Sequence, residues 1–103
     1  MKQINIDIET FSRADLTKSG VYKYVNDPGF EVLLFGYSID MGPVITIDLA
    51  SGEKLPEDVV AALTDDSILK YAFNAQFERV CLSTFLGVYL TPDSWRCTMV
   101  TSL

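Results

Sequence analysis

The chain has 103 residues, 49% of them hydrophobic, and a formal net charge of −6. That length supports one small core rather than two domains. The acidic balance argues against a simple basic nucleic-acid binder, which meets phosphate with Lys and Arg, but leaves room for an enzyme that meets phosphate through bound metal ions. No histidine is present, which removes Ser-His-Asp and Cys-His nucleophile schemes and His-based zinc sites. Chemistry on this stretch must run on carboxylates, hydroxyls or amides. Cys81 and Cys97 are too few for a disulfide framework and read as reduced thiols of a cytosolic protein, with one bridge between them left open. No run approaches the ~18 apolar residues of a membrane span, and no apolar signal region precedes the first strand, so no secretory export is indicated.

In chain order, residues 4–10 alternate apolar and polar side chains, which predicts a half-buried β-strand. Residues 11–17 are irregular and polar. Residues 19–25 suit a short helix, stopped by the turn signal Asn26, Asp27, Pro28, Gly29. The long apolar run 30–40 reads as a central strand, Met41, Gly42 and Pro43 as a tight turn, and 44–49 as a third strand, together an antiparallel meander. After a loop at 51–54, Pro56 opens a helix with Glu57 and Asp58 in its first turn and Val59, Val60 and Leu63 as its apolar stripe. Residues 67–73 read as a fourth strand. Residues 75–86 read as a second amphipathic helix, with Phe77, Cys81 and Phe85 at four-residue spacing and Gly87 as its stop. A loop follows at 90–94, and 95–103 turns apolar again. The order is α/β with a mixed sheet: three antiparallel strands, then helix, strand, helix. The apolar end, without a polar tail, reads as a chain cut inside a larger domain.

The candidate chemistry begins at the first strand. Residues two apart on a strand face the same way, so Asp7 and Glu9 share a face opposite Ile4, Ile6 and Ile8. Paired carboxylates raise each other's pKa, and a hard divalent cation relieves that repulsion through oxygen ligands. The bland alternative is the wet face of an exposed strand. A second constellation lies at the predicted strand-to-helix junction, where Asn74 and Glu78 are four apart and stack on one helix face. Here too a structural reading competes. Asn74 is a favoured N-cap and Glu78 complements the helix dipole, although Glu78 is one residue too late for a capping box.

Asp7, Ile8, Glu9 and Thr10 resemble the first motif of the DEDD-type 3′–5′ exonucleases, and Asn74, Ala75, Gln76, Phe77 and Glu78 resemble their second. The likeness narrows with Asp15 and Leu16, with Gly20, Val21 and Tyr22, with the run 30–37, and with Trp95, Arg96, Cys97, Thr98 and Met99. These segments are similar to the proofreading exonuclease domain of phage- and prophage-type family A DNA polymerases. The resemblance implies a ribonuclease H-like fold, truncated, with 1–103 as a single partial exonuclease domain. It implies two divalent ions, Mg²⁺ or Mn²⁺, ~3.5–4 Å apart. Asp7 would bridge both, Glu9 would hold one, and Glu78 the other. Thr10 and Asn74 would position the terminal nucleotide of a single-stranded DNA 3′ end, and the polymerase region of the same parent chain would be the partner. Phe77 reads as core. Tyr22 and Tyr24 read first as packing residues and second as stacking platforms for single-stranded DNA. Two departures stand out: the second-motif acid is Glu78 where the family has Asp, and the third motif, which brings a Tyr or His and a final Asp, is expected beyond Leu103. The piece alone is therefore expected to be inactive, cytoplasmic, away from membranes and able to dimerise through exposed apolar surface. A non-catalytic scaffold, or a stand-alone exonuclease acting on short RNA or DNA, would carry the same two motifs.

Overall fold

Strand β1 (Gln3–Phe11) forms where the alternation predicts it. The computed structural model describes residues 1–14 and 16–98, with 16–19 as backbone only. Asp15 and Met99, both part of the resemblance, and the apolar end at 99–103 lie outside the described residues. Helix α1 (Leu16–Asn26) starts earlier than the sequence suggested and runs through a break at Gly20, whose φ of 78° and ψ of 169° are not helical. Strand β2 (Glu31–Ile39) turns back antiparallel to β1. It passes to β3 (Ile45–Asp48) through a turn in which Asp40 and Met41 both have positive φ, 50° and 65°, and the Gly42 amide donates to the Ile39 carbonyl at 2.8 Å. That is the reversed-hand turn that suits the twist of a hairpin.

Helix α2 (Glu57–Thr64) follows Pro56, and its buried stripe is Val59, Ala62 and Leu63. Val60, expected in that stripe, is only half-buried, because a stripe at helical period returns after three and four residues, not one. Strand β4 (Leu69–Ala72) is shorter than expected. Helix α3 (Ala75–Leu86) has the expected bounds and ends at Gly87 in the left-handed conformation, φ 74°. Of its expected stripe, Cys81 is buried, Phe77 is half-buried, and Phe85 is 42% exposed. Four-residue steps drift round a helix of 3.6 residues per turn. A fifth strand, β5 (Trp95–Cys97), was not anticipated; three residues with Arg96 in the middle carry no strand period worth reading.

The sheet order is β3-β2-β1-β4-β5. β1 pairs antiparallel with β2 and parallel with β4, and β5 is parallel to β4, so the sheet is mixed as expected. Register and parity put Ile4, Ile6, Ile8, Phe35, Tyr37, Ala72 and Trp95 on one face, all buried. Val25 of α1, Val59 and Leu63 of α2, and Val80, Cys81 and Leu82 of α3 join the same cluster. The other face, with Asp7 and Glu9, stays largely open.

Lys70 interrupts the apolar face. It is 0% exposed, paired in register with Ile4 and Trp95, and its Nζ donates to the Asp65 carbonyl and, at 2.8 Å, to Ser94 Oγ. Ser94 Oγ in turn donates to Asp66 Oδ1 at 3.1 Å. Burial lowers the Lys70 pKa, against the opposing pull of Asp66 and Asp65. This network ties the amino end of β4 to the approach to β5, at the opposite end of the sheet from the candidate site.

Candidate functional site

The sheet splits at β1 and β4. From their carboxyl ends the chain leaves in opposite directions, β1 toward β2 and β3, and β4 toward β5. A crevice outside the carboxyl ends of adjacent parallel strands at such a switch point is where open α/β sheets bind ligands. The last β1–β4 pair is Ile6 with Ala72. Asp7 is the next residue on β1, and Asn74 opens α3 two residues past Ala72. Both sequence motifs therefore meet at one place in the fold.

Asp7 is exposed and lies opposite Gly36 of β2. A Cβ on Gly36 would stand 3.4 Å from the Asp7 carbonyl oxygen, an ordinary van der Waals contact. Asn5, Asp7, Gly36 and Thr46 line a shallow groove of about 190 Å³ on the open face. Glu9 is exposed too, and the β1–β2 register slips immediately after it, between Glu9 and Thr10. A bulge here increases local twist and re-aims neighbouring side chains. The bulge leaves no mark in the sequence.

Glu78 is 5% exposed and stands in the first turn of α3, just past the carboxyl end of β4. Its Oε2 accepts a hydrogen bond from the Asn74 amide at 3.1 Å, while Asn74 Oδ1 accepts from the Phe77 amide at 3.4 Å. The sequence expectation that Glu78 stands too late to close back on the cap is corrected: a glutamate one residue further along the first turn still reaches the cap amide. Burial pushes the Glu78 pKa up to about 7, the Asn74 amide pulls the other way, and the charge of Asp7 raises it further. One turn on, burial and the Glu78 charge push the Cys81 thiol up to about 12. Cys81 is thus an inert core thiol, and Cys97 Sγ instead donates to the Phe73 carbonyl at 3.0 Å.

The structure thus brings Asp7 and Glu78 within electrostatic reach of each other and keeps Glu9 on the same strand face as Asp7. Among the described residues, no group of three or more Asp, Glu, Cys or His side chains is gathered closely enough to hold a metal ion. The donors at the crevice nevertheless suit a hard cation. They are all oxygen, they carry like charge, and ionisation of Glu78 is held back by burial and by Asp7.

Of the two expected substrate contacts, Asn74 is exposed at the crevice and acts as the helix cap. Thr10 Oγ1 lies 2.9 Å from the Tyr24 hydroxyl. Tyr24 also packs on Phe30 and Phe77, with ring centroids 5.9 Å and 5.7 Å away. Its packing role stands, and it adds a link from α1 to the end of β1.

This architecture is ribonuclease H-like and shared with known nucleases. NrnC of Brucella melitensis, solved bound to pGG, matches with a TM-score of 0.68 at 23% identity, over 98% of this chain and 43% of its own. The same protein with bound Mg²⁺ gives 0.68 at 23%, over 98% and 43%. A nuclease in its apo form gives 0.67 at 24%, over 98% and 42%. No family model matches the sequence. Over 100 residues the chain is 52% identical to a DNA polymerase of Bacillus phage SP02. That match takes in 97% of this chain and 15% of the polymerase, in its N-terminal region.

Proposed function

We propose that residues 1–103 are part of a metal-dependent 3′–5′ exonuclease domain that removes nucleotides from a DNA 3′ end, proofreading for a polymerase region of the same parent chain. What supports this reading most is the topology, which sets Asp7 past the last β1–β4 pair and Glu78 in the first turn of the helix that follows β4. The likeness to a phage polymerase and to nuclease folds supports it.

In this reading Asp7, Glu9 and Glu78 hold two divalent ions, Mg²⁺ or Mn²⁺. Divalent ions held there would supply Lewis-acid activation of a water and charge neutralisation at the leaving 3′-oxygen. The chain's own contribution is placement. The end of β1 presents Asp7 and Glu9 from a rigid strand. The α3 cap fixes the Glu78 carboxylate through the Asn74 amide. Thr10, anchored on Tyr24, and Asn74 border the position of the terminal nucleotide. Burial of Glu78 makes it a poor anion without a counter-charge, so it would give up a proton near neutral pH if a cation were held beside it. The site as assigned is cytoplasmic.

Residues 1–103 carry only two of the motifs that the resemblance implies, so this chain on its own is expected to release few or no mononucleotides. Incubation of the purified chain with a 3′-labelled oligonucleotide and Mn²⁺ tests this. Robust mononucleotide release that survives Asp7→Asn would overturn both the expected inactivity and the assigned site.

A further inference from the structure

Two grooves run side by side between α1 and α3, and Tyr22 lines both. The first, about 410 Å³, is bounded by Gly20, Tyr22, Asn74, Gln76 and Phe77 and begins at the candidate crevice. The second, about 180 Å³, continues along α3 past Asn26, Arg79, Ser83 and Tyr89. Among the described residues no acid lines either groove, in a chain with 14 Asp and Glu. The groove under Asp27, Glu31 and Glu53 shows the contrast. Two large rings stand out in water along this path: Tyr22 is 60% exposed and Tyr89 is 74% exposed. Tyr89 is braced from beneath. The Arg79 guanidinium carbon lies 5.9 Å from its ring centroid, and Arg79 Nη1 donates to the Leu90 carbonyl at 2.8 Å.

Exposed aromatic rings beside a cation, along a groove whose described lining holds no acid, are what sequence-tolerant binding of single strands uses. We infer that the α1–α3 groove is a track for single-stranded DNA, in which Tyr22 and Tyr89 stack bases upstream of the 3′-terminal nucleotide. Arg79 is a positioning residue for Tyr89. The inference rests on the proposed exonuclease reading for the direction of the strand, with its 3′ end at Asp7. The 12-residue α3 is about 18 Å long at 1.5 Å per residue. A stacked strand rising ~3.4 Å per nucleotide would place about five nucleotides along it.

Binding of 5′-fluorescein-labelled dithymidylate and hexathymidylate to the 103-residue chain, followed by anisotropy with Ca²⁺ as the cation, tests the track. Hexathymidylate should bind more tightly than dithymidylate. Tyr89→Ala should weaken hexathymidylate binding about five- to 160-fold, the range of one lost stacking contact, and leave dithymidylate within twofold. Tyr22→Ala should weaken both, and Tyr22→Phe and Tyr89→Phe, which keep the rings, should bind like the parent chain. Both tyrosines are exposed, so circular dichroism of the Ala variants should match the parent. Equal affinity for the two lengths, or Tyr89→Ala binding hexathymidylate like the parent, would overturn the track. If dithymidylate binding is then still lost on Asp7→Asn, the exonuclease reading survives alone. Dithymidylate binding unchanged by Asp7→Asn would count against that reading instead. Hexauridylate bound more tightly than hexathymidylate would overturn the assignment to DNA.

Discussion

Glu78→Gln isolates the electrostatics at the centre of the site. Folding raises the pKa of Glu78 from the usual 4.5 to about 7. Below pH 4.5 the acid is protonated in the folded and unfolded chain alike, and its neutral form carries no charge penalty. Between pH 4.5 and 7 the unfolded chain releases the proton while the folded chain keeps it, so stability falls as pH rises. Above pH 7 both states are ionised and the full penalty is present, about 3 kcal/mol at 1.36 kcal/mol per pKa unit. Glutamine keeps an oxygen for the Asn74 amide and never ionises. In metal-free buffer the variant should therefore match the parent near pH 4 and exceed it by about 2–3 kcal/mol at pH 8. Urea unfolding followed by fluorescence of Trp95, the one tryptophan, measures the difference at each pH. Asp27, Asp40 and Asp65, whose pKa values are lowered by their hydrogen bonds, bend both curves in acid and cancel in the subtraction. A flat difference curve between pH 4 and 8 would refute the account of Glu78 as a buried acid held neutral.

Three further outcomes follow from particular contacts. Asn74→Ala removes the acceptor for the Phe77 amide and should destabilise by about 1 kcal/mol, whereas Asn74→Asp should keep most of that stability; urea midpoints decide. Gly87→Ala should cost about 1–2 kcal/mol, since nothing within 4 Å obstructs a Cβ there and the loss is all conformational, φ being +74°; an unchanged midpoint would mean the helix end relaxes. Lys70→Met keeps the volume but strips donors from the Asp65 carbonyl and Ser94 Oγ, and should cost about 1–3 kcal/mol, with early amide exchange in β5 as its signature.

The parts of this molecule that were legible from sequence are those set by short-range rules. The alternation through Ile4, Ile6 and Ile8 placed β1 and its acid face, and Pro56 and Gly87 bounded α2 and α3. The order of elements anticipated the mixed sheet, and the resemblance carried by Asp7 to Thr10 and Asn74 to Glu78 anticipated the likeness to a phage polymerase. What escaped depends on contacts between distant segments. β5 becomes a strand because β4 offers a partner, with Lys70 and Ser94 fixing the register. The buried lysine on an apolar face violates the pattern rule and is tolerated only because three groups from two loops converge on it. The return of Glu78 to the Asn74 amide is a matter of side-chain reach, which spacing rules for caps do not encode. The bulge after Glu9 arises from β2, where Leu33 has no β1 partner.

The most direct test of the convergence of both motifs on one cation site is Mn²⁺ titration of the ¹⁵N-labelled chain. Paramagnetic broadening should appear first at the amides of Asp7, Glu9, Asn74 and Glu78, and vanish in Asp7→Asn. Broadening that centres instead on Asp27, Glu31 and Glu53, and persists in Asp7→Asn, would contradict it.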